Sequence, residues 1–145
     1  MGIEENIAAG KILYLNVCFP HETKFNDKYF VVVGIGTGTC PLLLKINTSG
    51  ELSSISKRLG ESQFKIKQSV YRFLQHDSYL DCGTVWYTLI ATEEAIKQIS
   101  KEPKKRIVGE VTADHKNEII RRIEKSKSIA PRHKKAIAEA LRKKT

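Results

Sequence analysis

The groupings that could do chemistry in this chain are short and few. His21-Glu22 sets an imidazole beside a carboxylate in the polar run 20–28. Imidazole changes charge near neutral pH, so the pair suits proton transfer. Adjacent polar residues in a surface loop are also commonly just solvated. His76-Asp77-Ser78 spells out a nucleophile–base trio. Neighbours in sequence seldom reach that geometry, so Asp77 or Ser78 reads better as a turn cap before a strand at Tyr79-Leu80. Gly34-Ile35-Gly36-Thr37-Gly38 lacks a third spaced glycine and leads to Pro41 and an apolar strand. No helix N-terminus follows to receive a phosphate, so this is a hairpin loop and no nucleotide site. Cys18, Cys40 and Cys82 lack the paired spacing of a zinc site and read as buried small hydrophobes. No metal and no cofactor is expected.

Charge supplies the strongest pattern. From Lys97 onward there are 16 Lys and Arg against 6 acids, while the first 96 residues hold 9 against 10. The excess lies on segments that read as helices, a distribution that suits a partner with repeating negative charge. A solvated tail that only aids solubility is the plainer alternative. Lys104-Lys105-Arg106 and Arg121-Arg122 are the clearest phosphate contacts, and such contacts position a strand without reading its sequence. Trp86, Tyr87, Tyr71 and Phe73 would stack on bases if exposed, though aromatics in small β proteins are more often core.

The elements that must position these residues follow from periodicity and turn signals. Ile12–Phe19, Tyr29–Val33 and Pro41–Ile46 read as strands, with a short helix at 51–60. Further strands are expected at 63–71, from Ser78, over Thr84–Ile90 and at 106–111. A helix starts at Thr92 as N-cap and ends at Pro103. Thr112 caps another that carries Ile119, Ile120 and Ile123 on one face. Pro131 opens a last helix with Ala136, Ile137, Ala140 and Leu141. The expected fold class is mainly β with C-terminal helices, a small barrel. Residues 1–111 form that barrel with an inserted helix, and 112–145 form basic helices packed on it or on a dimer partner.

The 145 residues, 41% of them hydrophobic, are enough for one real core. No apolar run approaches the roughly 18–20 residues of a membrane span. The start, Met1-Gly2-Ile3-Glu4-Glu5-Asn6, reads as neither a signal peptide nor a myristoylation site. An odd number of unpaired cysteines suggests a reducing compartment, so the expected location is cytoplasmic.

The order Gly-Lys-Ile-Leu-Tyr-Leu-Asn-Val, Tyr-Phe-Val-Val-Val-Gly, Cys-Pro-Leu-Leu-Leu-Lys-Ile-Asn-Thr-Ser, His-Asp-Ser-Tyr-Leu-Asp-Cys and Arg-Ile-Val-Gly-Glu-Val-Thr resembles the PemK/MazF family of toxin endoribonucleases. The resemblance covers roughly residues 10–127. It implies an SH3-like (CcdB-type) barrel, a homodimer, metal-independent cleavage of single-stranded RNA, and an antitoxin protein as partner. The family pairs an Arg, in an Arg-Pro step before the second strand, with a Thr or Ser after the third. Thr48 and Ser49 match the second position. Asp27-Lys28-Tyr29 stands at the first, so Lys28 replaces Arg and loses the two-pronged grip on phosphate.

Such cleavage needs a base for the 2′-hydroxyl, an acid for the leaving oxygen and a cation for the charged phosphorane. Lys28, Thr48, Ser49 and His21 are the catalytic candidates. His76, Ser78, Lys104, Lys105, Arg106, Arg121 and Arg122 are the RNA-binding ones. The missing Arg-Pro step keeps a second reading open, a module on the same barrel that binds nucleic acid or protein without cutting.

Overall fold

A computed structural model describes residues 7–35, 40–48 and 62–143. The elements are β1 (Lys11–Val17), β2 (Asn26–Ile35), β3 (Pro41–Asn47), β4 (Gln63–Ile66) and β5 (Ser78–Asp81). After them come α1 (Thr92–Lys101), α2 (Pro103–Arg106), β6 (Ile107–Glu110), α3 (Ala113–Lys125) and α4 (Pro131–Arg142). The strands form one curled antiparallel sheet in the order β4-β5-β3-β2-β1-β6, with β4 and β6 at its edges.

The central strands are buried on both sides, which is why β2 and β3 read as continuous apolar runs. Alternation divides their side chains between two cores. One face carries Ile12, Val31, Val33, Leu44, Ile46, Phe64 and Leu80, and α3 and α4 cover it with Ile119, Ile123, Ile137 and Leu141. The other carries Leu13, Leu15, Phe30, Val32 and Leu43, and α1 covers part of it with Ala95 and Ile99. The terminal helices therefore share the sheet's own core.

Local signals explain the helix starts. The Thr112 hydroxyl accepts the His115 N–H at 3.2 Å, and Pro131 occupies the first turn of α4. Gly10 adopts φ +97°, where a β-carbon would be strained and would also meet Lys116 Cε at 2.8 Å. Its N–H donates to Val32 O and its carbonyl accepts from Val111, which ties β1 to the strands on either side.

Several expectations need correction. Thr84–Ile90 is not a strand. Among the described residues only Trp86 exchanges backbone hydrogen bonds here, with Leu43, and the rest bends away to reach α1. The strand at 63 stops at Ile66, because Lys67–Tyr71 form a turn. Ala91, not Thr92, precedes the first turn of α1 without a side-chain cap. In α4 Ala138, not Ala136, is buried. The expected helix at 51–60 and most of the glycine-rich turn (36–39) lie outside the described residues.

Candidate functional site

The β1–β2 loop folds back on itself before β2 begins. The Glu22 N–H donates to Phe19 O at 2.8 Å, and the Cys18 thiol donates to Glu22 O at 3.3 Å. This turn buries Phe19 and leaves the exposed His21 ring stacked over it, 6.1 Å between centroids. Glu22 Oε1 is buried without a hydrogen-bond partner among the described residues.

Strand register then gathers charge on the face that α1 only partly covers. Phe30 pairs with Lys45, so carrying that register on by two residues sets Lys28 opposite Asn47, and Thr48 stands one residue further. Alternation from Phe30 puts Lys28 and Lys45 on the same face. Across β5 and β4, the same face carries Tyr79, Asp81, Gln63 and Lys65. The opposite-facing neighbours Ile46, Leu80, Phe64 and Ile66 are all buried, whereas Lys28, Lys45, Asn47 and Asp81 keep partial access to solvent.

Two groups here are pushed in opposite directions. Burial, then the Lys28 charge, lowers the Lys45 pKa, against the opposing pull of Glu22 and Asp81. The Lys45 ammonium lies 5.1 Å from the Phe19 ring centroid, a cation–π contact that partly replaces lost water. Burial raises the Asp81 pKa, although hydrogen bonds from Gly83 and Ser62 and the Lys45 charge oppose the shift. The Gly83 N–H donates to Asp81 Oδ1 at 2.7 Å and orients the carboxyl. Asn47 Nδ2 donates to Gln63 Oε1 at 3.1 Å, bracing β3 against β4. An amine made a readier proton donor on the same face as a carboxyl made a stronger base is a pairing that general acid–base chemistry uses.

The structure thus brings Lys28, Thr48 and His21 to one end of the sheet, while Ser49 lies outside the described residues. Lys28 is half-buried and Thr48 is exposed at the end of β3.

The RNA-contact candidates divide differently. Ser78 is 0% exposed, shares the helix-covered face with Leu80 and donates to His76 O, so it cannot touch a ligand. His76 is exposed, with Nδ1 against Asp77 O at 2.8 Å. Asp77 accepts the Gln68 N–H, which ties the segment before β5 to the turn after β4. Arg106 is 7% exposed and committed internally, to Asp27 at 2.8 Å, to Glu102 at 3.3 Å and to Tyr14 O. A phosphate contact by Arg106 is therefore corrected to a structural ion pair, for a buried cation keeps its partners. Lys104 and Lys105 are exposed, and Lys105 also reaches Asp27 at 3.5 Å. Arg121 and Arg122 both pair with Glu118. Arg122 also stacks on Phe64 and donates to Gln63 O.

Lys45 and Asp81 escape a reading by motif. Their signal is weaker: a lone charge inside the apolar run Pro41–Ile46, and an acid between Leu80 and Cys82. Among the described residues no three His, Cys, Asp or Glu side chains gather where they could hold a metal ion, and no helix is long and apolar enough to cross a membrane. No protein-family model matches the chain, and no curated protein matches it in sequence.

Proposed function

We propose that this chain is a PemK/MazF-like toxin that cuts single-stranded RNA without a metal, on the open end of its half-covered sheet face. The observation that carries the reading is the convergence of Lys28, Lys45 and Asp81 there, with Thr48 at the rim. Lys28 and Lys45 neutralise the scissile phosphate and the charge that builds on the phosphorane. Asp81 takes the 2′-hydroxyl proton, and Lys45 returns a proton to the leaving oxygen. His21, on Phe19, borders the substrate path. In this reading the curled sheet is an SH3-like barrel, the protein is cytoplasmic and homodimeric, and an acidic antitoxin covers the same face.

The test is incubation of mixed-sequence RNA with the protein in EDTA. Cleavage is expected, falling about 10²–10³-fold in Lys45→Met. RNA left intact at high protein concentration removes the nuclease. The second reading, binding without cutting, is favoured by Lys28 at the Arg position, since a point charge grips phosphate less specifically. Under it, Lys28→Ala weakens salt-dependent binding and no variant alters RNA length.

A further inference from the structure

A cavity of about 290 Å³ is lined by Trp86, whose ring contacts the same Phe19 that Lys45 lies against. Cys18, Pro20, Thr84, Trp86, Tyr87 and Thr88 are among its lining residues. We propose that it is a nucleobase subsite, holding the base of a nucleotide whose phosphate rests on Lys28 and Lys45. The proposal builds on the RNA reading above and adds to it where the strand's bases go.

Small-molecule sites run roughly 300–1,000 Å³, so a cavity at the lower bound admits one ring system and not a folded polymer. No lining side chain is charged, while two aromatics, two threonine hydroxyls and a thiol are present. A neutral, flat, polar-edged ring meets those walls better than an ion or an aliphatic chain does, because every base offers a π-face and hydrogen-bonding edges.

Phe19 links the cavity to the cations, for its ring centroid lies 4.7 Å from that of Trp86, a lining residue, and 5.1 Å from Lys45 Nζ. Trp86 and Lys45 thus both lie against Phe19, so a nucleotide with its phosphate on the cations would turn its base toward Trp86. Tyr87 is 47% exposed, and its ring lies 4.7 Å from that of His133 on the first turn of α4. An aromatic half in water but fixed by a neighbour is ready to stack without further ordering.

Trp86 is the only tryptophan and so reports on its own cavity. The test uses the full chain and three probes: an RNA 8-mer of mixed sequence, an abasic ribose-phosphate 8-mer, and free uridine or adenosine. The RNA 8-mer is expected to quench Trp86 fluorescence. The abasic 8-mer is expected to bind, read by competition, without quenching. Tyr87→Ala, a change at a half-exposed position, should weaken the RNA 8-mer by about 5- to 150-fold and leave the abasic one unchanged. Equal effects of Tyr87→Ala on both 8-mers, or on neither, overturn the subsite. Lys45→Met should weaken both 8-mers together while nucleoside quenching persists. Nucleosides that quench Trp86, with neither 8-mer sensitive to Lys45→Met, would leave the base pocket standing and remove the phosphate cleft. Nucleosides and RNA that both fail to quench remove the pocket.

Discussion

The two faces of the sheet use the same strands for different ends. On the helix-covered face, β3, β4 and β5 offer Leu44, Ile46, Phe64, Ile66, Ser78 and Leu80, all buried beneath α3 and α4. On the other, the same strands offer Lys45, Asn47, Asp81 and Lys65, for among the described residues α1 packs toward β1 and away from them. A period of two places an apolar residue and a titratable one at adjacent positions, so one segment can build core and site together. A dry face fixes the strands, and the half-wet face inherits that rigidity for its charges.

The comparison breaks most visibly in stability. Ile137→Ala deletes a fully buried side chain of the covered face and should cost about 2–5 kcal/mol in urea unfolding. Lys45→Met, on the open face, should leave the urea midpoint level or raised, since an apolar side chain there loses no hydration. A large loss of stability in Lys45→Met would mean that the open face is core after all.

A smaller effect separates the two kinds of basic residue. Arg106→Met removes the partner that, with Asn16, holds Asp27 low in pKa despite its burial. It should cost about 1–3 kcal/mol, the penalty for leaving a partly buried charge less satisfied. It should leave the salt dependence of RNA binding unchanged. Lys104→Ala should cost little stability and reduce the salt slope by about 1. A slope change in Arg106→Met instead would return that residue to the interface.

Smaller still is a pH effect from the covered face. Burial lowers the His115 pKa, against the opposing charges of Asp114 and Glu118, and its ring packs on Phe64 and Tyr71. The unfolded chain takes up this proton near about pH 6.5, and the folded chain only at lower pH. The unfolded state therefore binds more protons as pH falls through about 6.5, and stability declines there until the folded histidine titrates too. The urea midpoint should drop between pH 7.5 and 5.5, and by less in His115→Gln. His133, also lowered by burial and by Arg132, supplies part of what remains. An identical drop in the variant would show that His115 is not the dry group described.

The smallest effect is chemical. Burial pushes the Cys82 thiol up to about 12, so it stays protonated and slow to alkylate. Iodoacetamide on the native protein should label the half-buried Cys18 and Cys40 before Cys82, as read by peptide mass. Early labelling of Cys82 would mean that the helices open readily from the sheet.

Much of this was legible in one dimension. The apolar runs of β1, β2 and β3, the Thr112 cap, the Pro131 start and the stripe Ile119, Ile120 and Ile123 are local matters of steric preference, capping and period. The amino-acid sequence by itself also determined where the positive charge lies. Only the tertiary structure decided which charges are used: Arg106 turns inward because Asp27, Glu102 and Tyr14 converge on it from β2, the α1–α2 junction and β1. Ser78 is lost from the surface by alternation with Leu80, and Trp86 leaves its expected strand for a single bridge to Leu43. Register carries Lys45 and Asp81 to the same face across β3 and β5, close enough for each charge to bias the other, a long-range property that no spacing encodes. The physical reason is that propensity acts over a few neighbours, whereas desolvation and Coulomb terms depend on what the folded chain brings alongside.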